Sequence, residues 1–194
     1  MKKLTLYLLG TLLAFACSPK TESASEAEMD HSQHMATADT TQAKPKSPLT
    51  SAMAMVGGNH IHIDYSSPSV RGRQVFGGLV GYGDVWVTGA HKATSIQFDQ
   101  PILINGTEVP AGKYGFFTIP GESEWTLILN QVWDMHLADD YDQSKDILRW
   151  TATPETLAET VEALTYTVKE VAAGETLVSF AWDKTQVSFS VKNK

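Results

Sequence analysis

The chain has 194 residues, a formal net charge of −7, 42% hydrophobic residues and one cysteine. An acidic chain is poorly suited to bind nucleic acid, because affinity for phosphates comes from Lys and Arg. With Cys17 as its only cysteine, the chain can form neither an intramolecular disulfide nor a thiolate metal cluster.

The N-terminus has the pattern of an export signal. Two lysines precede an apolar run over residues 4–13, which is too short for a membrane-spanning helix of about 20 residues. The run ends in Ala-Phe-Ala before Cys17, which resembles a bacterial lipoprotein cleavage site. We predict that residues 1–16 are a signal peptide and that Cys17 is lipidated. The protein would then be a membrane-anchored lipoprotein in the envelope of a Gram-negative-type bacterium, facing the periplasm or the cell surface. The alternative is a plain signal peptide with an incidental cysteine.

Residues 17–50 are predicted to be a disordered tether. They are rich in Ser, Thr, Ala, Glu, Lys and Pro, and they cannot bury enough apolar surface to offset their ordering entropy. Within the tether, Met29, His31, His34 and Met35 resemble the Met/His-rich copper-binding segments of exported copper-resistance proteins. Imidazole and thioether groups bind soft and borderline metals, so these four residues are a possible tail metal site, unless the resemblance is a coincidence of composition.

Residues 51–194 are predicted to form one all-β domain. Residues 60–65 alternate strictly between polar and apolar side chains, and further short apolar runs follow. Turn signals separate the runs, among them Asn-Gly at 105–106 and Pro-Gly at 120–121. This pattern favours a β-sandwich of the jelly-roll or immunoglobulin-like type.

Two local predictions qualify this picture. Residues 154–162 have the only helix-like composition in the domain. Asp183 and Lys184 are predicted to turn the chain between the last two strands.

Several motifs in the domain resemble the secreted bacterial family known as domain of unknown function 2911. They occur in the same order along the chain, at residues 65–73, 79–86, 110–114, 117–121, 125–130 and 145–149. The resemblance implies export and a single β-rich domain, and it implies no particular activity.

The chain departs from the family pattern where relatives commonly carry arginine, asparagine and glutamate. Val87, His91 and Lys92 stand at these positions, and His136 also lies where relatives usually have no histidine. Loss of an arginine cation beside an added imidazole would favour a bound metal cation, although Lys92 acts against it.

Four histidines of the domain are therefore the predicted metal ligands. His60 and His62 lie at i and i+2 of a strand, so they share one face, about 7 Å apart. Asp64 continues that face and could bind the metal or orient an imidazole. His91 and His136 are assigned to loops, where binding residues concentrate. A site of three or four histidines fits copper, with zinc as the alternative.

The sequence thus favours a metal-binding protein that sequesters or delivers copper over an enzyme. It contains no Gly-x-Ser-x-Gly, Walker or His-Glu-x-x-His motif. One alternative is that the histidines of the strand form an ordinary solvated face. Another is a metal-free ligand-binding or protein-interaction module with a pocket of arginine, aromatic and amide side chains. The residues that could line it are Arg71, Arg73, Trp86, Asn130, Trp133, Tyr141 and Arg149.

Overall fold

The computed structural model describes residues 45–194, which form ten β-strands and one short 3-10 helix. The strands are β1 (Leu49–Val56), β2 (Asn59–Ser66), β3 (Thr94–Phe98), β4 (Ile102–Ile104), β5 (Thr107–Val109), β6 (Gly112–Ile119), β7 (Trp125–Asn130), β8 (Asp146–Ala152), β9 (Glu155–Ala172) and β10 (Glu175–Asn193). The 3-10 helix spans Gln143–Lys145. Within the described part of the chain, no helix is long and apolar enough to cross a membrane.

The strands form two antiparallel sheets. The larger sheet has six strands in the order β1-β2-β3-β6-β7-β8, and the smaller has four in the order β5-β4-β10-β9. Every strand pair within the two sheets is antiparallel. The architecture confirms the predicted all-β sandwich.

An aromatic core joins the two sheets. Phe116 of β6 lies 5.5 Å from Phe189 and 5.8 Å from Phe180, both on β10, between ring centroids. Alternation places these side chains inside, because successive residues of a strand point to opposite faces of the sheet. In β2 the same alternation buries Ile61 and Ile63 and leaves their polar neighbours half-buried on the outer face.

Two local predictions were wrong. Residues 154–162, predicted to be helical, lie largely in β9, because hydrogen-bonded pairing with β10 overrides a weak helix propensity. Asp183 and Lys184 do not end a strand, since β10 continues through them. Asp183 instead has a φ of 55°, and the pairing register shifts on both sides of it, so the residue marks an irregularity that bends the strand.

The outer face of the larger sheet is covered on one side by residues 131–145, here called the covering segment. Its Tyr141 packs against the fully buried Phe117 of β6 at 5.2 Å between ring centroids. The segment also crosses Gly115, where an added Cβ would lie 2.5 Å from the carbonyl oxygen of Val132. Glycine at this position therefore lets the segment lie directly on the sheet.

Candidate metal-binding face

His60 and His62 project from the outer face of β2, as the alternation predicts. Their side chains are 30% and 28% exposed, and their ring centroids are 5.6 Å apart in an edge-on arrangement. Both imidazoles are therefore accessible from solvent and close enough to approach one ion.

Asp64 orients one of the two imidazoles. The Nε2–H of His62 donates a hydrogen bond to Oδ1 of Asp64 at 2.8 Å, and the ammonium of Lys113 donates to Oδ2 at 3.2 Å. Burial raises the pKa of Asp64, but the hydrogen bonds from His62 and Lys113 outweigh it and hold the pKa below its usual value. Since Nε2 is engaged, Nδ1 is the nitrogen of His62 that is available to a ligand.

His60 is held less firmly than His62. Its Nδ1 lies 4.0 Å from Oδ2 of Asp99, which is too long for a hydrogen bond. The ring can therefore adjust its position more readily than that of His62.

Two methionines that the sequence reasoning missed lie on the same outer face. In the β1–β2 pairing, Met55 is directly opposite His60 and Met53 is directly opposite His62. The methionines are 65% and 52% exposed. A signal for this pairing was present, because the two-residue Gly57-Gly58 loop between alternating segments is typical of a tight hairpin.

His91 and His136 lie on two neighbouring loop segments, and both are exposed. The carbonyl of His91 accepts a hydrogen bond from the N–H of Leu137, and Lys92 pairs with His136 in a β-bridge. His91 and Leu137 line one cavity, whereas Lys92 lines a different one. Met135, next to His136, is buried in the core.

The shared role of all four domain histidines at one ion stays a prediction. Among residues 45–194, no three His, Cys, Asp or Glu side chains are grouped so as to hold a metal ion. Strand alternation fixes the direction of the pair on β2. In the loops, His91 and Leu137 adopt a left-handed backbone conformation, with φ of 62° and 53°. The sequence pattern does not predict this conformation, so it does not predict the direction of the loop histidines. A separate ligand role for His91 or His136 stays a prediction.

The remaining predicted site residues fall outside the described part of the chain. They are the possible tail ligands Met29, His31, His34 and Met35 and the predicted lipidation site Cys17.

The largely apolar cavity that His91 lines has a volume of about 440 Å³. Trp86 and Trp182 form part of its wall and stack on each other at 5.8 Å between ring centroids. The arginines suggested for such a pocket do not line it. Arg73 bonds to backbone carbonyls, and Arg149 bonds to Asp146 and Tyr141.

Together these features define a single all-β domain of two antiparallel sheets, with paired histidines on an accessible strand face. The chain belongs to the DUF2911 family, described as a protein of unknown function, whose model matches residues 47–191. This result confirms the family resemblance of the sequence motifs. Neither a curated protein nor a solved structure matches the chain.

Proposed function

We propose that this protein binds a transition-metal ion, copper in preference to zinc, and sequesters or delivers it in the cell envelope. The observation that carries the proposal is the His60–His62 pair, with ring centroids 5.6 Å apart on an accessible face. Imidazole nitrogens bind such ions at about 2.0–2.1 Å, and two rings this close can reach one ion by side-chain rotation.

The groups around the pair support the same assignment. A carboxylate that accepts a hydrogen bond from one imidazole nitrogen fixes the orientation of the ring and directs the other nitrogen toward a ligand, as Asp64 can do for His62. Copper(II) binds more tightly than zinc at a given nitrogen site, which places copper first. The sequence adds an export signal and a Met/His-containing tail.

Replacement of the histidine pair tests the proposal. In the double variant His60→Ala/His62→Ala, we expect copper affinity to fall at least about 100-fold, because both nitrogen ligands are lost. Titration calorimetry and elemental analysis of the purified mature protein would measure the change.

The matched control is His91→Ala/His136→Ala, which removes the same number of exposed histidines from the loops. We expect this control to retain copper binding at the strand face. Equal losses in both variants would support a site of four histidines, and full binding by His60→Ala/His62→Ala would contradict the proposal.

The tail is tested separately in the full mature chain. With His31→Ala/His34→Ala, we expect the number of copper ions bound per chain to fall while the affinity at the strand face is unchanged. Copper titration followed by elemental analysis gives both quantities. An unchanged number of bound ions would remove the tail from the mechanism.

A metal-free ligand-binding module is the second candidate function, and the apolar cavity beside Trp86 and Trp182 favours it. Cavities of this size and lining are typical of sites for small molecules. This function would replace the first if the mature protein bound no copper and a small apolar probe quenched tryptophan fluorescence in wild type but not in Leu137→Phe, which puts a larger side chain in the cavity lining.

A further inference from the structure

The β1–β2 hairpin places two thioethers beside the two imidazoles. Directly opposed residues of antiparallel strands have Cβ atoms about 4.5–5.5 Å apart and point to the same face. Met53 therefore neighbours His62, and Met55 neighbours His60. The flexible methionine side chain, with three rotatable bonds, can bring its sulfur to an ion held between the rings.

Met53 and Met55 are exposed on a strand at the edge of the larger sheet. β1 is an edge strand of the larger sheet, and its outer face carries no charged residue. Exposed edges ordinarily carry lysine or other charges that oppose unwanted pairing. Here Met53 and Met55 stay more than half exposed, so packing within the described residues does not account for both side chains being methionine.

We propose that Met53, Met55, His60 and His62 together form a site selective for Cu(I). The proposal rests on the proposed function, in which the histidine pair binds a metal. Thioether sulfur is a soft ligand that selects Cu(I), whereas Zn(II) accepts imidazole without requiring sulfur. The two methionines thus add affinity for Cu(I) alone, whereas the two histidines can bind either Cu(I) or Zn(II).

The variant Met53→Leu/Met55→Leu keeps volume and apolar character while it removes both sulfur atoms. We expect its Cu(I) affinity to fall about 100-fold and its Zn(II) affinity to stay within about twofold of wild type. Cu(I) affinity would be measured by anaerobic competition with a chromophoric Cu(I) chelator, and Zn(II) affinity by a zinc-responsive dye. X-ray absorption of the Cu(I) form should show copper–sulfur scattering in wild type and weaker copper–sulfur scattering in the variant.

The outcomes separate this inference from the proposed function. Loss of both metals in His60→Ala/His62→Ala, together with loss of Cu(I) alone in the methionine variant, supports both. Unchanged Cu(I) affinity and unchanged copper–sulfur scattering in the methionine variant overturn the inference and leave the histidine site standing. If His60→Ala/His62→Ala keeps both metals, the proposed function itself fails. An equal thermal unfolding midpoint in wild type and the methionine variant confirms that the fold is retained.

Discussion

Gly115→Val is expected to destabilise the domain by about 3 kcal/mol, because overpacking of a closed contact costs this much when backbone must move. A Cβ at Gly115 would lie 2.5 Å from the carbonyl oxygen of Val132, 2.7 Å from a ring carbon of Phe117 and 3.3 Å from the Cα of Trp133. Two of these three atoms belong to backbone of the covering segment, so the segment has to lift from the sheet. The thermal unfolding midpoint should fall by about 6–12 °C for a domain of this size.

A matched control introduces valine on the same outer face, on the strand next to that of Gly115. Gln97→Val on β3 places valine opposite Lys113, outside the covering segment. Its unfolding free energy should stay within about 1 kcal/mol of wild type, since a surface substitution rarely costs more. If both variants unfolded at the same temperature, the close contact between Gly115 and the covering segment would not be the cause of the destabilisation.

Asp146→Ala is expected to cost a similar amount, about 3 kcal/mol, because it leaves the buried Asn130 and the partly buried Tyr141 and Arg149 without their shared acceptor. The Asp146 carboxylate, 8% exposed, accepts hydrogen bonds from Tyr141 Oη and Arg149 Nε, both at 2.6 Å. It also accepts one from the fully buried Asn130 at 2.7 Å. Chemical denaturation would measure the loss. Asp140→Ala, an exposed change in the covering segment, should be nearly neutral, and equal costs would contradict the assigned role.

The same network makes a spectroscopic prediction for Tyr141. Burial and the hydrogen bond to Asp146 together raise the pKa of Tyr141 to about 12, against the opposing effect of the hydrogen bond from Arg149. In Asp146→Ala the pKa should therefore fall, because the anionic acceptor is lost and the guanidinium remains. Alkaline titration of tyrosinate absorbance, with Tyr141→Phe to assign the signal, measures the shift. An identical titration curve in the variant would exclude the coupling.

Alternation along the sequence was enough to predict β2 and the shared face of His60 and His62. A half-buried strand must alternate, so the side-chain directions follow from the period alone. The Asn105-Gly106 turn was likewise confirmed, because both residues adopt the positive φ that this dipeptide tolerates. These features depend only on residues that are close in sequence.

Features that depend on long-range pairing were not predictable in the same way. The segment that begins β9 has helix-forming residues, yet β10 supplies its backbone partners. β1 begins at Leu49, inside the stretch assigned to the tether. It is a strand because its backbone pairs with that of β2. If Gly57-Gly58 is the two-residue loop of a hairpin, Val56 pairs with Asn59. Each further step away from the loop gives the next pair, so Met53 is placed opposite His62. The directions of His91 and His136 follow from no such count.

The covering segment lies over only part of the outer face of the larger sheet, and this determines how accessible an ion bound on β2 would be. Residues 131–145 lie over Gly115 and Phe117 of β6, whereas His60 and His62 on β2 stay 30% and 28% exposed. An ion bound there could accept a ligand from an incoming partner before it loses all of its own. Under the proposed function, an ion held by this hairpin would therefore stay open to a ligand from a partner molecule.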